Sequence, residues 1–158
     1  MFKTIVLALD GSDGSKAAIP FARDLAHRDN SKLVVAHVEE EVVGKGGGPI
    51  HATEDEIQAE IRKIAEELSD ESIYTLMELS SVMLGGPARA ITAIADKVDA
   101  DLIVCGTRGH SAAGSLLVGS VAQKLLHLAH RPVLVVPETA TPSADGAAAQ
   151  SRKAGVSA

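Results

Sequence analysis

The chain has 158 residues, 46% of them hydrophobic and only 2% aromatic, and a net charge of −6. That length suits one domain around one sizeable aliphatic core. No stripe of Lys or Arg is present to follow a phosphodiester backbone, and there are too few rings to stack on bases, so nucleic acid is excluded as the expected partner. Cys105 is the single cysteine, which excludes an intramolecular disulfide. No apolar run has membrane-spanning length and Met1-Phe2-Lys3 lacks a signal-peptide layout, so a cytoplasmic protein that does not engage a membrane is expected.

Residues 3–9 (KTIVLAL) are a compact β-branched and aliphatic run that stops at Asp10-Gly11-Ser12, the pattern of a buried strand ending in a turn. A helix is expected next, with Ser12, Asp13 and Ser15 as capping candidates, Phe21, Ala22 and Leu25 on one face, and Asn30-Ser31 closing it. Residues 33–38 (LVVAHV) read as a second strand. Residues 39–52 hold Gly44, Gly46, Gly47, Gly48 and Pro49, a loop's composition. Thr53 and Glu56 then make a capping box, behind which Ile57, Ile61, Ile64 and Leu68 recur at helical spacing.

Residues 73–79 are a less apolar strand candidate. Gly86-Pro87 opens a helix whose buried stripe is Ile91, Ile94, Ala95 and Val98, and residues 102–105 (LIVC) form a fourth strand. After a loop rich in Gly and Ser, Val121, Leu125 and Leu128 mark a last helix, and residues 132–136 (PVLVV) a fifth strand. Residues 138–158 offer little to bury, so a domain over 1–137 followed by a disordered tail is expected.

Strands alternating with helices at this spacing predict an α/β fold, a parallel sheet with helices on both faces, because crossovers between parallel strands are right-handed almost without exception. The commonest five-stranded order is 2-1-3-4-5 or a close relative, and ligands bind where the winding reverses beside the first strand. With a 3-2-1-4-5 order, Asp10 and the turn Gly106-Thr107-Arg108-Gly109 meet at that crevice. Further on, the last helix starts after Gly119-Ser120 with free N–H groups and the positive end of its dipole. Glycines at 106, 109 and 119 let main chain approach an anion, and Ser120 adds a hydroxyl donor, which together describe a phosphate cradle. Asp10 suits two vicinal ribose hydroxyls, or else serves only as a turn former ahead of the first helix.

The spacing Gly106-x2-Gly109-x9-Gly119-Ser120 resembles the nucleotide motif of the ATP-binding subgroup of the universal stress protein family. The resemblance extends over residues 2–137, through KTIVLALDGS, LVVAHV, GGPARAITAIADKVDADLIVCGTRG and GSVAQKLLHLAHRPVLVVP. It implies a five-stranded parallel sheet in the order 3-2-1-4-5. It also implies Asp10 on the ribose hydroxyls, the backbone of Val38 near adenine, Gly106, Gly109, Gly119 and Ser120 on the phosphates, and Cys105 and Val121 lining the same site. Ala8-Leu9-Asp10 stands where many members have Pro-Val-Asp, and Cys105 where Met or another aliphatic residue is usual; both departures bear on the wall near adenine, and neither removes a phosphate donor.

The implied function is a stress or signalling protein whose output depends on bound ATP or a related adenine nucleotide, with any Mg²⁺ held mostly by phosphate oxygens. No general base, arginine-finger pair or set of metal carboxylates is evident, so hydrolysis is expected to be slow or absent. The alternative is a dimeric adaptor with an incidental pocket, against which the intact glycines argue. A phosphoacceptor receiver domain would need an Asp where Leu79-Ser80-Ser81 stands and a Lys after the fifth strand, where Val136-Pro137 stands. His127 and His130 lack a third metal ligand, Lys45 lacks the GxxxxGK[ST] order, and Cys105 reads as a small buried hydrophobe. An apolar outer strand over residues 132–137, the strand through which the family commonly dimerises, predicts a homodimer.

Overall fold

The computed structural model describes residues 1–41, 51–71, 73–83, 86–107 and 118–142. In chain order the elements are β1 (Thr4–Ala8), α1 (Asp13–Lys16), α2 (Ile19–Asp29), β2 (Lys32–Glu41), α3 (His51–Asp70), β3 (Thr75–Met83), α4 (Pro87–Lys97), β4 (Leu102–Gly106), α5 (Ser120–Leu128) and β5 (Val133–Val136). The strands form one sheet in the order β3-β2-β1-β4-β5, and every neighbouring pair is parallel. The expected fold class and strand order are therefore those of the protein.

Successive residues of a strand face opposite sides of a sheet, and the core divides accordingly. Ile5, Leu7, Leu33, Val35 and Val104 face α2 and α3, where they meet Ala22, Ala26, Ile61 and Leu68. Val6, Ala8, Val34, Ala36, Ile103 and Cys105 face α4 and α5, where they meet Ile91, Ile94, Ala95, Ala122 and Leu125. Each large aliphatic side chain buried this way contributes about 1.5–3 kcal/mol of transfer free energy. A sheet covered on both faces explains why β1 and β4 are continuous apolar runs instead of alternating ones.

Three local expectations need correction. The first helix is two helices. The Ser12 hydroxyl caps α1 by accepting from the Ser15 N–H at 3.2 Å, and α2 restarts at Ile19 with Pro20 in its first turn. A proline there lacks only an N–H that has no intrahelical acceptor, whereas in one continuous helix its ring would collide with the carbonyl four residues back. Asn30 ends α2 in the left-handed conformation at φ 54°, as its place in the sequence suggested.

Secondly, β2 continues to Glu41, into the expected loop, and β3 continues to Met83, with Glu39, Glu40 and Glu41 in register with Ser81, Val82 and Met83. Main-chain pairing between these strands overrides the low strand propensity of a glutamate run. Since the register of β1 with β2 ends at Ala8 opposite Ala36, the β2–β3 pair projects beyond the carboxyl end of β1. Thirdly, α3 starts at His51, so Thr53 lies within the helix and is not its cap; spacing alone does not fix a helix's first turn. At the other end of the chain, the Ala140 N–H donates to the Pro137 carbonyl at 2.9 Å and Ala140 packs on the first core cluster. Residues 143–158 of the expected tail lie outside the described residues.

Candidate functional site

From β1 the chain crosses first to the β2 side of the sheet and later returns to β4 on the other side, so the winding reverses between β1 and β4. Their register places Leu7 opposite Val104. Just past these residues, the Asp10-Gly11-Ser12 turn leaves β1 and Thr107 leaves β4.

The β1 turn is held by its own side chains. One Asp10 carboxylate oxygen, Oδ1, accepts from the Ser12 N–H at 3.0 Å and from the Ser12 hydroxyl at 2.5 Å, while the Asp10 N–H donates to Ser15 Oγ at 3.3 Å. Ser15 Oγ in turn donates to the Ser12 carbonyl at 2.9 Å. Asp10 thus shapes this turn, and it stands half-buried at the crevice. Gly11 has φ +81°, and a Cβ there would lie 2.9 Å from Ile57 Cγ2 on α3. Backbone conformation and close packing both demand glycine at this position.

Gly106 has a packing role that its sequence context concealed. A Cβ at that position would lie 2.0 Å from the Gly14 carbonyl oxygen, so the missing side chain lets α1 lie directly on the end of β4. Gly119 is different. Its φ of −60° and ψ of 158° are open to any residue, it precedes α5 without a side-chain cap hydrogen bond, and its N–H donates to the Thr107 carbonyl at 2.6 Å. That bond fixes the start of α5 beside the end of β4, with Ser120 exposed in the first position of the helix.

Ala8 and Cys105 are buried in the cluster on the α4–α5 side, and Val38 and Val121 pack against it, so these four predicted site residues share one side of the sheet. Burial pushes the Cys105 thiol up to about 11, which keeps it protonated and non-nucleophilic near neutrality. Gly109 and Arg108 lie outside the described residues. Among the described residues, no group of three or more His, Cys, Asp and Glu side chains is placed to hold a metal ion, and no helix is long and apolar enough to cross a membrane.

One buried polar residue escaped the sequence reading. His37 on β2 has its side chain 4% exposed, with Nδ1 at 2.9 Å from the Leu9 carbonyl and Nε2 at 2.6 Å from Glu54 Oε1. Gln58 also donates to that oxygen, at 3.2 Å. The available signal was strand alternation: His37 shares a strand face with Leu33 and Val35, and an imidazole on the inward face of a strand must find partners.

The model of the universal stress protein family matches residues 1–137. The chain belongs to that family. A universal stress protein of Thermus aquaticus, described as lying in the QAH/OAS sulfhydrylase 3′ region, is 38% identical over 138 residues, which cover 86% of this chain and 99% of the relative. Among solved structures, a universal stress protein in complex with cAMP is 30% identical at a TM-score of 0.60, covering 87% of this chain and 98% of the other. A universal stress protein from Archaeoglobus fulgidus in complex with dAMP is 26% identical at a TM-score of 0.60, covering 86% and 98%. Nucleotide binding thus occurs within the family, at the level of adenine nucleotides.

Proposed function

We propose that this universal stress protein binds an adenine nucleotide, ATP in the first instance, across the carboxyl ends of β1 and β4, and that occupancy sets its signalling output. The observation carrying this reading is the start of α5. A glycine stands there although its backbone angles do not require one, no side chain among the described residues caps the helix, and the Thr107 bond sets it at the crevice. First-turn N–H groups have no intrahelical acceptor and sit at the positive end of the dipole, which suits phosphate.

In this reading the Gly119 N–H, already given to Thr107, is not a phosphate donor; the N–H groups of Ser120 and Val121 and the Ser120 hydroxyl are. Gly106 and Gly109 border the phosphates, Asp10 accepts from the ribose hydroxyls while keeping its turn, and Ala8, Val38, Cys105 and Val121 form the aliphatic wall for adenine. The cAMP and dAMP complexes of relatives support an adenine, sugar and phosphate site in the family. Mg²⁺ is held by the phosphate oxygens, and hydrolysis is slow or absent.

Isothermal titration of the full chain with ATP, ADP and AMP in Mg²⁺ tests the reading; affinity from about micromolar to submillimolar is expected. No binding of any of the three at about millimolar concentration, together with mass spectrometry showing that the purified protein carries no nucleotide, refutes it.

The same protein is proposed to act as a homodimer through residues 132–137. Among the described residues β5 pairs with β4 alone, and Val133, Leu134 and Val135 are half-buried. Such an outer strand attracts another. Light scattering on the full chain tests this: a dimer that dissociates in Leu134→Lys is expected, and a full-length monomer refutes it, because an isologous contact would place the new charge twice across one interface.

A further inference from the structure

His37 sits where three elements meet, and both of its ring nitrogens face oxygen. Nδ1 lies 2.9 Å from the Leu9 carbonyl, which can only accept, so Nδ1 carries a hydrogen. Nε2 lies 2.6 Å from Glu54 Oε1, a contact that also needs one proton between the two atoms. Without that proton a ring lone pair would face a carboxylate, with the two side chains only 4% and 18% exposed. Repulsion of this kind is poorly screened away from water.

The contact bears on the candidate site because of what it joins. Leu9 immediately precedes Asp10, and Gly11 on the other side of Asp10 packs against Ile57, one turn along α3 from Glu54. The Asp10 turn is thus gripped at one end through His37 and Glu54 and at the other through Ile57, both acting from the first turns of α3. Lys16 of α1 ties to Glu60 of the same helix at 2.7 Å.

We propose that His37 is a positioning residue for the Asp10 turn and works as a proton-dependent latch. With the shared proton in place, Glu54, His37 and Leu9 hold α3 against the carboxyl end of β1 and keep Asp10 set for the nucleotide. With the proton gone the latch opens and nucleotide affinity falls. This rests on the nucleotide site proposed above.

Other charged groups on the packed elements are differently engaged. Asp10 bonds Ser12, Glu39 lies two residues further along the same face of β2, and Asp55 and Glu56 follow Glu54 on α3. Glu60 is paired with Lys16, Arg23 and His27 of α2 with Glu71, and Glu78 of β3 with Lys97 on the opposite face of the sheet. Among the described residues, the ion pairing of Glu54 is with His37 alone.

The test is ATP affinity of the full chain, measured from about pH 6 to about pH 9. In Glu54→Gln the new amide donates to a neutral Nε2 while Nδ1 still donates to Leu9, so the latch closes without the extra proton. The wild-type dissociation constant should rise about tenfold across the range, whereas Glu54→Gln should stay near the tighter value apart from the titration of ATP itself, which both share. His37→Asn keeps a donor to Leu9, loses the Glu54 contact, and should give an equally flat profile at weaker affinity. Parallel profiles for wild type and both variants overturn the latch.

A readout without nucleotide separates this from failure of the binding reading. Hydrogen exchange at residues 54–58 should quicken with pH beyond its intrinsic rise in wild type, and not in Glu54→Gln. If ATP binds at no pH, the nucleotide reading falls and this comparison alone decides the latch; equal protection in both proteins overturns it.

Discussion

Replacing Gly106 by Ala isolates the packing role of a residue that lies within a nucleotide-type motif. The new Cβ would stand 2.0 Å from the Gly14 carbonyl oxygen, 2.6 Å from its carbon and 3.0 Å from Ser15 Cα. Carbon and oxygen in favourable contact sit about 3.3–3.6 Å apart, so the main chain of α1 must withdraw by about 1 Å or more. All three neighbours are backbone, so no rotamer change relieves the contact. The withdrawal also pulls on the bonds linking Asp10, Ser12 and Ser15, and on the pair between Lys16 and Glu60.

Overpacking of this kind costs about 1–3 kcal/mol, and an obstacle made of backbone puts Gly106→Ala at the upper end, about 3 kcal/mol. For a domain of this length each kcal/mol lowers the melting temperature by about 3–5 °C, so a fall of about 10 °C is expected. Far-UV circular dichroism through a thermal scan measures it, and a urea titration with an unchanged m-value shows that the effect is on stability. A melting temperature within about 2 °C of wild type would refute the reasoning, since a clash with rigid backbone cannot be absorbed so cheaply.

Gly119→Val is the complementary substitution: with φ −60° and ψ 158° the backbone accepts valine, so the melting temperature should hold while ATP binding is lost, and undiminished binding would contradict the phosphate assignment. Asp10→Ala should weaken ribonucleotides more than their 2′-deoxy analogues, as titration of ATP against dATP will show; equal losses would leave Asp10 with the turn alone. The Cys105 thiol, pushed up to about 11 by burial, should be almost wholly protonated at neutral pH, gain thiolate only as pH climbs towards that value, and react with a disulfide reagent far more slowly in native than in urea-unfolded protein. Equal native and unfolded rates would show that the residue is not enclosed.

β1 and β4 were legible because a strand covered on both faces is a continuous apolar run, and KTIVLAL and LIVC are such runs. The order of the strands was narrowed only by resemblance, since local patterning says that strands are parallel without saying which are neighbours. The break between α1 and α2 had its signal in Pro20, but Ser12 and Asp13 also cap a continuous helix, and the two patterns overlap. Nothing local marks Glu39-Glu40-Glu41 as strand; the cause is non-local, their pairing with β3. Gly106 shows the same limit within the site, because a glycine kept for an approaching helix and one kept for an anion look alike until the facing carbonyl of Gly14 is seen.

Charge sets the direction in which the proposed nucleotide lies. In the order β3-β2-β1-β4-β5 the two strands flanking β1 lie about 10 Å apart, and their carboxyl ends differ sharply. On the β2 side the chain runs on past the end of β1 as Glu39, Glu40 and Glu41, whereas on the β4 side it leads to the positive end of α5. A triphosphate pointed at three glutamates would be repelled, and the protein's net charge of −6 offers it no general attraction. This charge distribution supports the proposed mode, in which the neutral base lies towards Val38 and the phosphates towards Ser120, with the ribose between them at Asp10. The same imbalance makes Mg²⁺ a favourable companion, because it offsets phosphate charge without needing a protein carboxylate. Substituting lysines for Glu39 and Glu41 should then raise affinity for ATP more than for adenosine. Titration of both ligands at low and high salt checks this, and equal gains for the two would reverse the orientation argument or show that the β2 end is too distant to matter.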